Sequence, residues 1–246
     1  MIEIRNLKKS FGDLLVWEDV SFNIEDGETV AIIGRSGCGK SVLVKHLNAL
    51  IYPDSGEVII DGENIFELEY VALRKMRQRF GVLFQGSALF DSLNTFENIA
   101  FPLRYFTDFS DERITEKVEE ALSLVNLEGT GEKSPAELSG GMRRRVALAR
   151  ATILEPDFLI YDEPTSGLDP QTSSEINKLI ISMAENLNIT SIVVTHDIHS
   201  VLEIAEKVVF LENKGLCWYG TVDEMRRSDN EELMDFITAS EYQIRN

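Results

Sequence analysis

The chain has 246 residues, 43% of them hydrophobic, enough for one large domain or for a core carrying an inserted subdomain. A formal net charge of -18 and a pI of about 4.6 set it against phosphate backbones and anionic membrane surfaces. Nucleic acid is therefore not an expected partner, and contact with a membrane is expected to pass through another protein. Only two cysteines, Cys38 and Cys217, fit a reduced compartment without disulfides. The start Met1-Ile2-Glu3-Ile4-Arg5 has no secretory pattern, and no apolar run approaches the roughly 20 residues of a membrane span, so a cytoplasmic protein is expected.

In chain order, Ile2, Ile4 and Leu7 alternate with polar residues as an edge strand would, and Trp17 to Ile24 alternates again. Thr29–Ile33 is a short apolar run that predicts a buried strand. Helical periodicity follows at Val42, Leu43, Leu47 and Leu50. A turn at 53–56 precedes a strand at Val58–Ile60, and Phe80–Phe84 predicts another. From Gly86 to Pro156 the pattern turns helical. Ser110 can cap a helix with an apolar face of Ile114, Val118, Leu122 and Val125, and a second helix runs from Gly141 to about Leu154. Strands return at Phe158–Tyr161, Ser191–Thr195 and Val208–Leu211, separated by helical patterns at Thr172–Leu187 and Ile198–Ala205. Strand–helix alternation predicts an α/β core with a parallel sheet. From Thr221 the tail reads as helix, with a possible capping box at Thr221 and Glu224 and a further turn or two from Glu231 to Ile237.

Two motifs carry phosphate chemistry. Gly34-Arg35-Ser36-Gly37-Cys38-Gly39-Lys40-Ser41 has the P-loop spacing and lies between a strand and a helix. Its backbone N–H groups can curl around phosphate oxygens, Lys40 can reach the β/γ-phosphates, and Ser41 can hold Mg2+ at the positive helix end. Cys38, in the same loop, is expected to favour the thiolate and to be alkylated under protection by Mg-ATP. Asp162 ends a strand beside this loop, where it would hold Mg2+, and Glu163 follows as the expected general base.

A third motif, Leu138-Ser139-Gly140-Gly141-Met142 and the helix after it, resembles the signature of ABC (ATP-binding cassette) ATPases. Gln85 fits the Q-loop, Ser166-Gly167-Leu168-Asp169 the D-loop, His196 the switch histidine and Phe11 the A-loop, in family order from about Phe11 to Gly220. Met142 stands in place of the usual Gln and Phe11 in place of the commoner Tyr. The resemblance implies a P-loop core with a mostly parallel sheet at 1–86 and 156–225. It adds an N-terminal antiparallel β subdomain, an inserted helical subdomain at 87–155 and a helical tail at 226–246. It implies ATP and Mg2+ as ligands. Phe11, Gly34 to Val42, Ser139, Gly140, Gly141 and Asp169 would bind nucleotide; Ser41, Gln85 and Asp162 would hold the metal; and Glu163, His196 and Gln85 would serve catalysis. Ser139 and Gly141 would act across an ATP-dependent, head-to-tail homodimer. Arg143, Arg144 and Arg145 are expected on a solvated helix face or in intersubunit contacts, and His46 and His199 are expected to be structural.

The stretch from Ala88 to Leu103 and the Met142 signature are similar to the ATPases of Mla/Mce-type lipid transporters. That implies a peripheral position on the inner face of the cytoplasmic membrane, beside a permease and an Mce-domain lipid-binding protein. Leu89, Phe90, Phe96, Phe101 and Leu103 are expected to form or support the permease-facing groove, more than half of them as ordinary core. An importer or exporter of another substrate, a cell-division signalling ATPase and an iron–sulfur assembly ATPase would keep every catalytic motif.

Overall fold

The computed structural model describes residues 1–244, with side chains through Ser240; the last two positions of the tail expected at 226–246 lie outside the described residues. The chain runs β1 (Ile2–Phe11), β2 (Leu14–Trp17), β3 (Phe22–Ile24), β4 (Thr29–Ile33), α1 (Lys40–Leu47), β5 (Ser55–Ile60), β6 (Glu63–Asn64), α2 (Tyr70–Gln78) and β7 (Phe80–Leu83). A helical stretch follows: α3 (Thr95–Phe106), α4 (Asp111–Leu124), a 3-10 turn at Pro135–Glu137 and α5 (Gly140–Thr152). It closes with β8 (Phe158–Asp162), α6 (Pro170–Leu187), β9 (Thr190–Val194), α7 (Ile198–Ile204), β10 (Lys207–Glu212), β11 (Gly215–Thr221), α8 (Val222–Met225) and α9 (Glu231–Ile244).

These strands form two sheets. One is antiparallel, in the order β2-β1-β5-β6 with β3 also on β1. The other runs β11-β10-β4-β9-β8-β7, parallel from β10 to β7, with β11 antiparallel at its edge. The α/β class and the mostly parallel sheet are as the sequence predicts. β1 is a central strand, not the expected edge: β5 lies on one side, β3 and then β2 on the other. Alternation reports a buried face, and hydrogen-bonding edges lie at right angles to it, so they are invisible in that pattern. The single strand expected at Trp17–Ile24 is broken in two. Asn6 takes a left-handed φ of 47° and β1 carries irregular register, so β1 leaves β3 and takes up β2 as it twists.

The parallel strands are apolar on both faces because both faces are covered. In β8, Leu159 and Tyr161 join the helical core with Ile99, Leu103, Val118, Leu122, Val146 and Leu148, while Phe158 and Ile160 join the core built on Ile2, Ile4, Trp17 and Leu43. Ser110 caps α4 as expected, accepting from the Arg113 N–H at 3.4 Å. α1 stops a turn short of the expected periodicity: Ala49 is left-handed and the N–H groups of Leu50 and Ile51 close on the Lys45 carbonyl, leaving Leu50 exposed. α2 and β11 fall where the sequence reading has no element, and α9 continues past the turn or two expected at Glu231 to Ile237, within the helical tail expected at 226–246. The Thr221–Glu224 capping box is present at α8.

β7 reaches its place because residue 81 has no side chain. A Cβ there would lie 2.2 Å from the Ala151 carbonyl oxygen of α5 and 2.5 Å from Leu159 Cδ1. Gly81→Ala should therefore destabilise the fold by about 1–3 kcal/mol through overpacking. The check is a lower denaturant midpoint with an unchanged slope; a wild-type midpoint would show that β7 and α5 can separate without cost.

Candidate functional site

Where β4 ends, the chain turns through Gly34, Gly37 and Gly39 and enters α1 at Lys40. Gly39 is left-handed at φ 99°, and a Cβ on it would stand 2.3 Å from Trp17 Nε1. The indole is fully buried and donates to the Cys38 carbonyl at 3.1 Å. Thus a strand of the antiparallel sheet braces the loop from below, a role for Trp17 that no sequence motif marks. Lys40 Nζ donates back to the carbonyls of Gly34 (2.7 Å) and Arg35 (3.1 Å). Neutral carbonyls are weaker acceptors for an ammonium than phosphate oxygens.

Above the loop lies a cavity of about 770 Å³ lined by Phe11, Gly34, Arg35, Ser36, Gly37, Gly39, Lys40, Ser41, Val42, Gln85, Asp162, Glu163 and His196. Leu14, Val16, Val194 and, from α9, Phe236, Ala239 and Ser240 complete the wall. The α9 contribution is a tertiary contact about 200 residues from the loop in sequence, which no local pattern announces. Phe11 is half-exposed at the rim, 48% accessible. Burial, and then the neighbouring Glu163 charge, push the Asp162 carboxyl up, while Lys40, Lys45 and Arg144 pull it down. Among the described residues no three His, Cys, Asp or Glu groups are placed to hold a metal. One hydroxyl (Ser41), one carboxylate (Asp162) and one amide (Gln85) on a shared cavity suit Mg2+, which takes oxygen donors and keeps water or phosphate in its shell.

Glu163 is held unusually. Its φ is 50°, left-handed for a residue with a side chain, and its N–H donates to the Val194 carbonyl at 2.8 Å. The carboxylate meets His196 Nδ1 at 2.8 Å and lies 3.4 Å from Thr195 Oγ1. The backbone twist at the end of β8 thus aims the carboxylate into the cavity with the imidazole beside it.

Three expected groups lie elsewhere. Ser139 caps α5, accepting from the Met142 N–H at 3.2 Å; Asp169 caps α6, accepting from Thr172 N at 3.0 Å. Neither motif lines this cavity. The two caps adjoin each other, since a Cβ on Gly141 would lie 2.6 Å from Thr172 Cγ2. Cys38 does not line the cavity either: its Sγ packs with the core 4.0 Å from Lys40 Nζ, and burial pushes the thiol up. The thiolate expectation fails because desolvation outweighs the cation. Of the three arginines one is buried and two are partly exposed. Arg143 donates to Leu138 O at 2.6 Å and Arg145 to Glu175 at 2.6 Å, while Arg144 is buried. His46 is buried, with Nδ1 2.7 Å from the Val42 carbonyl oxygen, and His199 lies exposed on α7.

A second concavity, about 560 Å³, opens on the far side of β7 and is lined by Phe84, Phe90, Phe101, Tyr105, Phe106 and Arg150 among others. Phe90 and Phe101 pack ring against ring at 5.0 Å, with the Arg150 guanidinium over Phe90. Leu103 is buried and Leu89 and Phe96 pack against the helical core, so three of the five expected groove residues support it from beneath.

A family model described as "ABC transporter" matches residues 17–166. The chain is 41% identical over 236 residues to the "Probable ribonucleotide transport ATP-binding protein mkl" of Mycobacterium tuberculosis, covering 96% of this chain and 66% of that protein, just under two thirds of its length. It is 38% identical over 237 residues to the "Intermembrane phospholipid transport system ATP-binding protein MlaF" of Haemophilus influenzae, covering 96% of this chain and 90% of that one. A "Methionine import ATP-binding protein MetN" of Clostridium tetani is 40% identical over 241 residues, covering 98% of this chain and 76% of that one. Among solved structures, a dimeric ATP-binding cassette in a post-hydrolysis state bound to ADP and Pi superposes with a TM-score of 0.81 at 32% identity, covering 90% of this chain and 99% of that one.

The half-buried Cys38 yields a test of the loop. In a Cys217→Ser background, maleimide should label Cys38 at pH 7 more slowly than a free cysteine, and the rate should climb only above the ordinary thiol range, since the thiolate is the nucleophile. Mass spectrometry across a pH series reads this. Fast labelling at neutral pH would restore the thiolate expectation.

Proposed function

The chain belongs to the ABC transporter family, and on that premise we propose that it is the ATP-hydrolysing subunit of a transporter of phospholipid or another hydrophobic molecule. The observation that carries the ATPase reading is the single cavity joining the phosphate loop, Ser41, Gln85, Asp162, Glu163 and His196. In this reading Phe11 stacks on adenine, and the backbone N–H groups of 34–41, with Lys40 and the start of α1, bind the phosphates. Lys40 must then exchange its two carbonyls for phosphate oxygens. Mg2+, held by Ser41, Asp162 and Gln85, would neutralise charge building on the phosphates. Glu163 takes the proton of the attacking water, and His196 orients that carboxylate through Nδ1.

The exposed caps at Ser139–Gly141 and Asp169 suit a second copy. Two chains arranged head to tail would each offer the free N–H groups of α5 to the nucleotide on the other. The helical stretch 87–155 would move with nucleotide against the core at 1–86 and 156–225. Among the described residues no helix is long and apolar enough to cross a membrane. The aromatic groove at Phe90 and Phe101 therefore supports a permease partner, with the chain peripheral on the inner face of the cytoplasmic membrane and an Mce-domain lipid-binding protein in the same complex. The likeness to MlaF over 90% of that protein supports the lipid cargo. The comparably similar methionine importer supports a second reading, an importer of a small polar substrate.

Three measurements test this. Glu163→Gln should keep ATP binding and lose turnover by roughly 10²–10⁴-fold, as removal of a general base does; unchanged steady-state hydrolysis would remove Glu163 from the role. Phe11→Ala should weaken ATP by about 1–3 kcal/mol with little change in base preference, the range for stacking on a base, whereas wild-type affinity would make Phe11 a rim residue only. Phe90→Glu should leave nucleotide binding intact and abolish co-purification with the permease. Recovery of an Mce-domain protein with the wild-type complex supports lipid transport, and recovery of a soluble amino-acid-binding protein supports the importer.

A further inference from the structure

Arg144 is 4% exposed, on the inward side of α5 and five residues after the Ser139 cap. Among the described residues its guanidinium makes no direct ion pair with a carboxylate, and the Asp162 charge acts on it only from a distance. Nη1 donates to the Phe84 carbonyl at 3.1 Å and Nη2 to the Ser166 carbonyl at 3.4 Å, while Nε is buried with no acceptor. Phe84 immediately precedes Gln85. Ser166 lies in the turn that begins at Glu163, with its N–H on the Glu163 carbonyl at 3.2 Å, and ends at Asp169. Its neighbour Arg145, by contrast, has the carboxylate of Glu175 at 2.6 Å.

A buried cation resting on two neutral carbonyls is costly, and an apolar or amide side chain of similar size would fill the same space with less penalty. What only the guanidinium offers is a planar fork that fixes two acceptors at once. Those acceptors belong to the two loops that flank the hydrolytic groups, and the fork is rooted in the helix whose exposed cap lies outside the cavity lining. Arg144 itself does not line the cavity.

We propose that Arg144 is a positioning residue for hydrolysis: it ties the Gln85 loop and the Glu163–Asp169 turn to the start of α5, so that the three shift as one body when that helix meets a second copy's nucleotide. The proposal rests on the ATPase reading above and on the role given there to Gln85. It requires that Arg144 act on turnover rather than on nucleotide binding, and that much of its effect pass through Gln85.

The test uses the purified full chain, with Arg144→Lys, Arg144→Gln and Arg144→Leu made alone and in a Gln85→Ala background. Steady-state ATPase gives kcat and KM, a fluorescent ATP analogue gives affinity, and circular dichroism reports folding. Arg144→Gln and Arg144→Leu should lower kcat by roughly tenfold to a hundredfold, the scale of a small misplacement of reacting groups. Affinity should stay within about threefold, and Arg144→Lys should recover part of the loss. In the Gln85→Ala background the same substitutions should cost less than about threefold more, because two residues acting through one contact are non-additive. A folded Arg144→Gln with wild-type kcat overturns the proposal. So does full additivity with Gln85→Ala, or a loss confined to nucleotide affinity. Failure of all three variants to fold also overturns it, by making Arg144 a structural clamp. Glu163→Gln runs alongside: if that variant still hydrolyses ATP, the reading beneath fails, whereas if it is inactive and Arg144 proves additive, only this inference does.

Discussion

The hydrogen bond from the Trp17 indole to the Cys38 carbonyl joins the two halves of the core at the point where chemistry is expected. The antiparallel sheet would otherwise be a lid resting on α1. Through this contact it becomes the floor of the phosphate loop, and Gly39 is the residue that lets the indole approach. The loop's conformation is therefore set from two directions, by β4 and α1 along the chain and by Trp17 across it. A preorganised ring of backbone N–H groups needs this, because a floppy loop would spend binding energy on ordering itself.

Two neighbours in sequence then divide the molecule's surface. At the end of β7, Phe84 lines the aromatic groove and Gln85 lines the nucleotide cavity. One peptide unit therefore stands between a cavity-lining amide and a groove-lining ring. Arg144 binds that peptide's carbonyl from behind.

What the sequence shows and hides follows from which forces are local. The phosphate loop, the strand ends at Asp162 and Gln85, the caps at Ser110 and Thr221 and the helix start at Ser139–Gly141 are legible because backbone conformation and first-turn hydrogen bonds are decided within a few residues. The helical core beneath the groove is legible from apolar spacing at Ile114, Val118 and Leu122. Burial of charge is not. Three consecutive arginines read as a solvated face or as intersubunit contacts, yet Arg144 lies inside, because acceptors 60 and 22 residues away in sequence receive it. The Cys38 thiol fails for a related reason: the loop's donors are visible in sequence, and the desolvation that outweighs them is not. β1 reads as an edge because the hydrophobic pattern reports faces and never edges.

α9 belongs at once to two assemblies. Phe236 packs tilted against Phe210 of β10 at 5.3 Å, within the core that holds α7, and with Ala239 and Ser240 it also closes one side of the nucleotide cavity. A ligand that fills this cavity touches the docked tail. Reciprocity of coupled equilibria then makes the tail stabilise the ligand by the same free energy with which the ligand stabilises the tail. α9 thus stands in a single thermodynamic cycle with whatever fills the cavity, although it lies about 200 residues from the phosphate loop in sequence.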